Sequence, residues 1–278
     1  MINFLHTFEP SALLLSWGSF TIYWYGLMVV LGIIGALVIS IKLSHYYGIN
    51  NNQVLDISFY LIIFGILGAR VYDILLEWPY YLSKPQQIFK IWEGGLAIHG
   101  AIIAGLVTLY LFARRYQFSI WRLSSLFVPG LAIGQAIGRW GNYFNQELFG
   151  KPTTQAWGIP IALENRPIHY LNEVYFHPTF FYESLGCLLI GLFLLTLNIH
   201  YIRQKKLKEA FYIWSTAAYM VLYSVLRFAL EFIRLDKTPF LVGWRWPQVI
   251  SLLIIVSFFY LLINHHACQK KSFNQKKG

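Results

Sequence analysis

The sequence predicts an all-α, polytopic membrane protein with about seven transmembrane helices, on the grounds of its composition and its apolar runs. Hydrophobic residues make up 57% of the chain and charged residues only 12%, about half the charged share of a soluble domain. The apolar residues form runs of about 20, the length with which an α-helix crosses the hydrocarbon core of a bilayer. Aromatic residues, at 18%, fit the belts found at both membrane surfaces. The lipid bilayer is therefore the first expected partner.

Seven apolar runs follow one another along the chain, separated by polar or basic connections. The predicted spans are about 22–41, 57–76, 96–113, 123–142, 179–198, 211–232 and 249–264. Residues 1–20, which are broken by Pro10, are expected to lie on the membrane surface rather than to cross it. Pro129 and Gly130 predict a bend in the fourth span.

The basic residues predict how the chain is oriented in the membrane. Of the 22 Lys and Arg residues, 12 lie after the first, third and fifth spans and in the C-terminal tail, whereas 6 lie in the opposite connections. The positive-inside rule then places the N-terminus outside and the C-terminus in the cytoplasm. The longest connection, about 143–178, becomes an external segment of a single membrane domain, 1–278. Basic residues placed in this way mark orientation, so no nucleic acid is expected as a partner despite the net charge of +10.

Charged and polar side chains inside the spans lie near their predicted outer ends. They are Tyr25, Arg70, Asp73, Glu77, Glu93, His99, Arg139, Asn142, Glu183, Arg227, Glu231 and Arg234. Arg139 alone would equally fit an ordinary helix end, with an arginine that reaches to the membrane surface. Ordinary helix ends would place charges at both ends of the spans, so the one-sided pattern favours a shared polar chamber that opens outward.

The residue types in this chamber suggest phosphate chemistry. A guanidinium binds phosphate through paired hydrogen bonds, and the phosphates at the outer leaflet belong to lipid headgroups. His99 stands among glycines in GGLAIHG, where it is either a structural residue or a base near neutral pH. The two cysteines, Cys187 and Cys268, form no CxxC spacing, so no metal site and no cofactor are expected.

Six ordered motifs are spread along most of the chain. They are YWYGL from Tyr23, GARVYD from Gly68, GGLAIHG from Gly94, GRWGNYFNQELFG from Gly138, HPTFFYES from His177 and RFALEFIR from Arg227. Together they resemble the motifs of the bacterial prolipoprotein diacylglyceryl transferases. Three positions depart from that pattern, since Tyr143 stands where phenylalanine is usual, Phe180 where glutamine is common and Ala101 where a second glycine often follows.

The resemblance implies a reaction in the bacterial inner (cytoplasmic) membrane. The diacylglyceryl group of phosphatidylglycerol would pass to the lipobox cysteine of a prolipoprotein signal peptide, so that a thioether forms and glycerol phosphate leaves. Arg139 and Arg227 would bind the phosphate, and His99 would be the base for the thiol. The resemblance also implies a substrate-binding pocket made of Tyr25, Asn142, Asn145, Glu147, Gly150 and Glu231.

Two other classes of membrane protein make different predictions. A transporter or channel would place polar groups on both sides of the midplane and often carries repeated half-motifs. A scaffolding protein would pair its charges locally, as Arg70 with Asp73 and Arg227 with Glu231 could do. Neither class accounts for Arg139 and His99 in their glycine-rich surroundings.

Overall fold

Long helices dominate the structure, a computed structural model that describes residues 2–18 and 20–275. The helices are α1 (Ile2–Thr7), α2 (Trp24–Ser44), α3 (Asn51–Leu76), α4 (Trp78–Ser83), α5 (Ile98–Arg115), α6 (Ile120–Phe144), α7 (Thr179–Arg203), α8 (Glu209–Leu230) and α9 (Trp246–Gln275). Within the described residues, seven of them are long and apolar enough to cross a membrane. These seven overlap the seven predicted spans, which confirms the predicted fold class.

Short antiparallel strand pairs lie between the helices, and the sequence did not predict them. The strands are β1 (Leu13–Trp17), β2 (Phe20–Tyr23), β3 (Ile159–Pro160), β4 (Tyr175–Phe176), β5 (Phe240–Leu241) and β6 (Trp244–Arg245). Each odd-numbered strand pairs with the strand that follows it.

Contacts divide the chain into a smaller unit, Ile39–Leu126, and a larger unit formed by Met1–Val38 with Phe127–Gly278. In the smaller unit, α3 packs closely against α5 at Gly68 and Gly100. A Cβ atom at Gly100 would lie 2.1 Å from the carbonyl oxygen of Gly68, so only bare backbone permits this approach. α3 starts at Asn51, earlier than predicted, because the side chain of the preceding residue, Asn50, forms a capping box with Gln53.

In the larger unit, α7 packs against α8, and α8 packs against α9. α2 approaches α6 closely at Gly32 and Gly134, where a Cβ atom on either would lie 2.7 or 2.8 Å from the carbonyl oxygen of the other. α6 continues through Pro129, so the helix is not interrupted there, and the predicted bend stays a prediction. Cys187 is buried in α7, whereas the side chain of Cys268 lies outside the described residues.

The predicted external segment, 143–178, folds around apolar side chains rather than forming an open polar loop. The buried members of this cluster are Leu5, Tyr143, Phe149, Ile159, Ile161, Phe176 and Phe180. Two of the three positions that depart from the family pattern touch each other here, since the rings of Tyr143 and Phe180 stack with their centroids 4.7 Å apart. The side chain at position 180 thus makes an aromatic contact and no polar one.

The first residues of the chain dock onto the same segment. Leu5 is buried in the apolar cluster, and the ring of His6 stacks on Tyr175 at 4.1 Å. His6 Nδ1 lies 2.8 Å from the carbonyl oxygen of Gly158, and Gln146 Nε2 donates to the carbonyl oxygen of Pro10 at 2.9 Å. These contacts tie the N-terminal residues to protein, an arrangement that the expectation of a membrane-surface segment did not include.

Candidate active site

Charged side chains of the larger unit meet where consecutive helices end and begin. Arg139 lies near the end of α6, Glu183 in the second turn of α7, and Arg227 in the last turn of α8. Arg245 lies in β6, directly before α9. The ion pair of Arg139 with Glu183 places the end of α6 beside the start of α7. The ion pair of Arg245 with Glu231 places the end of α8 beside the start of α9.

Arg139 is held by two partners on different elements. Its Nη2 lies 2.8 Å from Oε1 of Glu183, and its Nη1 donates to Oδ1 of Asn142 at 3.2 Å. The side chain keeps 24% of its surface exposed, so the guanidinium is fixed in direction and still open to a ligand.

Glu183 is the centre of this part of the cluster, and its side chain is only 1% exposed. Besides Arg139, its carboxylate receives the hydroxyl of Tyr223 at 3.2 Å and Nη1 of Arg234 at 3.3 Å. A carboxylate this deeply buried is stable only when cations and donors surround it. Sequence reasoning noted Glu183 as an outer-end charge but left it out of the binding residues, because its partners lie far away along the chain.

Arg227 and Glu231 form the ion pair that their i, i+4 spacing predicted, with Nη2 and Oε2 3.0 Å apart. Glu231 has no exposed side-chain surface, and its other oxygen, Oε1, lies 3.0 Å from Nε of Arg245. Among the described residues, Nη1 of Arg227 is buried and has no hydrogen-bond partner. The ion pair therefore does not use all the donors of Arg227, as a purely structural pair would, because Nη1 is left without an acceptor.

Arg234 and Arg245 are joined through Asp236, which lies in the connection between α8 and α9. Oδ1 of Asp236 accepts from Nε of Arg234 at 2.7 Å, and Oδ2 lies 3.8 Å from Nη2 of Arg245. Burial alone would raise the pKa of Asp236, but the neighbouring guanidiniums, Arg234 foremost, hold this pKa below its ordinary value. The carboxylate is thus charged at neutral pH. The sequence counted Arg245 only as an orientation charge, and no local spacing indicated its partners.

Asn142 links Arg139 to Glu147. While its Oδ1 accepts from Arg139, its Nδ2 donates to Oε1 of Glu147 at 2.7 Å. Asn142 is buried and Glu147 is exposed, so the Asn142 amide connects a surface carboxylate to the guanidinium of Arg139. Glu147 therefore acts on Arg139 through Asn142 and not by a direct ion pair.

Gly150 and Asn145 contribute through the backbone. Gly150 forms an antiparallel bridge with Arg234, and its N–H donates to the carbonyl oxygen of His177 at 2.9 Å. A Cβ atom at Gly150 would lie 2.9 Å from Thr179 Cγ2 and 3.0 Å from the carbonyl oxygen of Ile233, so no side chain fits. The N–H of Asn145 donates to the carbonyl oxygen of Gly141 at 3.1 Å.

Tyr25 packs on the helix that carries Arg139. A Cβ atom at Gly141 would lie 2.9 Å from Cδ2 of Tyr25, so the tyrosine ring rests on bare α6 backbone. Tyr25 as a whole is 40% exposed.

His99 lies in the smaller unit, near the start of α5, with its ring centroid 5.8 Å from that of Tyr72. Gly94 and Gly95 precede it with φ angles of 97° and 71°, which side chains rarely adopt. The two glycines therefore lie outside α5, which begins at Ile98, directly before His99. Arg139, Arg227 and the other predicted binding residues belong to the larger unit, and the chamber shared by both sets stays a prediction.

Arg70 has a structural role within the smaller unit. Its five N–H groups donate to main-chain carbonyl oxygens of the segment that precedes His99. The acceptors are Gln87, Ile88, Lys90, Gly94 and Gly95. Asp73 instead accepts from the hydroxyl of Tyr81 at 2.6 Å. The alternative that Arg70 and Asp73 form a local ion pair is therefore wrong, and the donors of Arg70 are used up within the protein.

Comparisons with known proteins identify sequences that are similar to most of this chain. The family model described as prolipoprotein diacylglyceryl transferase matches residues 12–264. A Synechococcus elongatus protein named phosphatidylglycerol–prolipoprotein diacylglyceryl transferase is 42% identical over 89% of this chain and 84% of its own length. Proteins of the same name from Halalkalibacterium halodurans and a Synechocystis species are 39% and 38% identical, over 88% and 89% of this chain and 82% and 87% of their own lengths.

Proposed function

This chain belongs to the prolipoprotein diacylglyceryl transferase family, and we propose that Arg139 and Arg227 bind the phosphate of its lipid substrate. The chain is a transferase that moves the diacylglyceryl group of phosphatidylglycerol to a prolipoprotein, the first step of lipoprotein maturation. It is a multi-pass membrane protein. The residues that carry out the transfer are the subject of the proposal.

The observation that carries the proposal is that Nη1 of Arg227 is buried and, within the part of the chain that the structure describes, has no hydrogen-bond partner. A buried guanidinium N–H without an acceptor costs free energy that an anion would recover. Arg139 adds a second guanidinium that is oriented by Glu183 and Asn142 but not enclosed by them. Phosphate oxygens are the acceptors that such donors fit best.

The transfer makes one bond and breaks one bond. The sulfur of the acceptor cysteine bonds to the terminal carbon of the diacylglyceryl group, and the bond from that carbon to the phosphate oxygen breaks. The electron pair leaves with glycerol phosphate, whose negative charge grows as the bond breaks. Guanidiniums already held in place stabilise that charge most effectively, because nothing has to reorganise during the reaction.

The thiol proton goes to His99 in this proposal. A free cysteine has a pKa near 8.5, so a base assists its attack at neutral pH. His99 is exposed and follows the glycine turn that Arg70 fixes, so the segment before the imidazole is held in place. The remaining binding residues shape the pocket: Tyr25 beside α6, Asn142 and Glu147 behind Arg139, and Glu231 behind Arg227.

We place the reaction at the outer face of the bacterial cytoplasmic membrane. The excess of Lys and Arg on the opposite side supports this orientation. The acceptor is the cysteine of a lipobox, carried by the signal peptide of the prolipoprotein. Both substrates then reach the site from the lipid phase or its surface.

A transfer assay with purified protein, labelled phosphatidylglycerol and a lipobox peptide tests the arginines. Arg139→Ala and Arg227→Ala should each lower transfer by about 100-fold or more, the loss typical of a missing charge-stabilising donor. Arg203→Ala is the matched control, since Arg203 is exposed at the far end of α7 and should leave transfer unchanged. Wild-type rates in folded Arg139→Ala or Arg227→Ala would contradict the phosphate-binding role.

The same assay across pH tests His99. His99→Gln should lower transfer at pH 7 by about 100-fold, and less at pH 9, where the peptide thiol ionises without help. An equal loss at both pH values would show that His99 does not take the thiol proton.

A further inference from the structure

The ion pairs of the larger unit form one unbroken chain whose two ends are Arg139 and Arg227. Its members, in order, are Arg139, Glu183, Arg234, Asp236, Arg245, Glu231 and Arg227. Successive charged atoms are separated by 2.8, 3.3, 2.7, 3.8, 3.0 and 3.0 Å. The two arginines assigned to the substrate phosphate are thus connected to each other through buried charge, although 88 residues separate them along the sequence.

The inner members of the chain are fixed by other parts of the protein. Arg234 is 3% exposed and bridges to Gly150 through its backbone. Arg245 donates to the main-chain oxygens of Glu231, Arg234 and Asp236, and to Oγ1 of Thr238 at 2.9 Å. Arg245 therefore has its donors committed within the protein, and the side chain of Arg234 donates to Glu183 and Asp236. The two end arginines are the members that we assign to a ligand.

The chain holds four guanidiniums and three carboxylates, which leaves one positive charge. Glu147 contacts this group through Asn142, but it is exposed and its charge is screened by water. A bound phosphodiester, which carries one negative charge, brings the total to zero. A phosphate monoester carries a second negative charge above its pKa of about 6. That charge would stay uncompensated in a site that is partly shielded from water.

We propose that Asp236 is a positioning and specificity residue. It joins the two arginines assigned to the substrate, and it keeps the net charge of the ion-pair chain at +1, the charge that balances a phosphodiester. The proposal rests on the proposed function of Arg139 and Arg227. Asp236 links Arg234, on the Arg139 side, to Arg245, on the Arg227 side. Without its carboxylate, the chain would split into two halves, and the surplus would rise to two.

This charge balance distinguishes the substrate from the product. Phosphatidylglycerol enters as a singly charged diester, and glycerol phosphate leaves as a monoester. The two end arginines stabilise the charge that grows while the bond breaks. Once the second negative charge is fully formed, it exceeds the single surplus positive charge, and because the cost of removing an ion from water rises steeply with its charge, the doubly charged product is held less well than the substrate. The site thereby favours binding of the lipid and release of the product.

Inhibition of the transfer assay at pH 8 by two soluble probes tests the proposal. The probes are glycerol phosphate, which is doubly charged at this pH, and its methyl ester, which is singly charged. The wild type should be inhibited more strongly by the methyl ester. Asp236→Asn should reverse this order, with the ratio of the two inhibition constants changing on the order of tenfold, and should lower kcat.

Two variants serve as controls. Glu164→Gln removes one negative charge from an exposed position of the external segment, and it should leave the ratio of inhibition constants unchanged. Asp236→Glu keeps the charge but lengthens the side chain, so it should keep the wild-type ratio and lower only kcat. A loss of packing alone would lower kcat in both Asp236 variants without changing the ratio.

Each result decides the question. An unchanged ratio in folded Asp236→Asn would overturn the proposal, as would a wild type that prefers glycerol phosphate over its methyl ester. The wild-type comparison needs no variant, so it still applies if Asp236→Asn does not fold. If Arg139→Ala and Arg227→Ala transfer normally, the proposed phosphate-binding role of the two arginines fails. If both variants are inactive but the ratio of inhibition constants is unchanged in Asp236→Asn, only the role of Asp236 is refuted.

Discussion

At the scale of single residues, the central feature is that each arginine proposed to bind the substrate is held by a buried carboxylate that a second arginine shares. Glu183 lies between Arg139 and Arg234, and Glu231 lies between Arg227 and Arg245. A carboxylate paired with one arginine would neutralise it. A carboxylate shared by two leaves positive charge for the substrate while still fixing the direction of each guanidinium.

Glu147 tests whether the contact behind Arg139 is one of geometry or of charge. Glu147→Gln keeps an oxygen that accepts from Nδ2 of Asn142, so transfer should stay within about threefold of the wild type. Glu147→Ala leaves that buried donor unsatisfied, which costs about 1–3 kcal/mol and should lower transfer about tenfold. Steady-state kinetics on both variants measures the difference. Equal losses would mean that the charge of Glu147, and not its hydrogen bond, is what the reaction uses.

Residue spacing predicted part of this site and could not predict the rest. Arg227 and Glu231 lie one helical turn apart, so their pairing follows from the sequence. Arg139 and Glu183 lie on different helices, and no periodicity connects them. Arg245 is an ordinary loop arginine by position, and only the tertiary fold shows that it contacts Glu231.

At the scale of elements, bare backbone sets how closely helices approach. Gly100→Ala would place a methyl group 2.1 Å from the Gly68 carbonyl oxygen, so α3 and α5 would have to separate. We expect a loss of about 1–3 kcal/mol in the stability of the smaller unit. Gly105→Ala, on the same helix, meets only Leu61 Cδ2 at 4.0 Å and should be neutral or slightly stabilising. Thermal unfolding in detergent compares them, and equal melting temperatures would contradict the close contact.

The helices could be predicted because their apolar runs are long, whereas the strands could not. β3 and β4 have two residues each, too few to show an alternating pattern. The apolar cluster of the external segment was missed for a related reason. Phe149, Ile159 and Phe176 are scattered among prolines and polar residues, and they come together only when the segment folds.

At the scale of the whole molecule, the number of spans fixes the relation between the two termini. Within the described residues, seven helices are able to cross a membrane, and an odd number places the two ends of the chain on opposite sides. The distribution of Lys and Arg then predicts that the N-terminus is the outer end. In this orientation the ion-pair chain and the external segment face outward together, since both lie at the same ends of α6 and α7.

Reporter fusions test this orientation. A fluorescent protein fused after the C-terminus should fluoresce, and alkaline phosphatase at the same position should be inactive, because we expect that end to be cytoplasmic. Alkaline phosphatase inserted after Ile168, which is 84% exposed in the external segment, should be active. The reverse pattern would place Arg139 and Arg227 on the cytoplasmic side. It would leave their roles in phosphate binding intact but would contradict the positive-inside reading, because the 12 basic residues would then face outward.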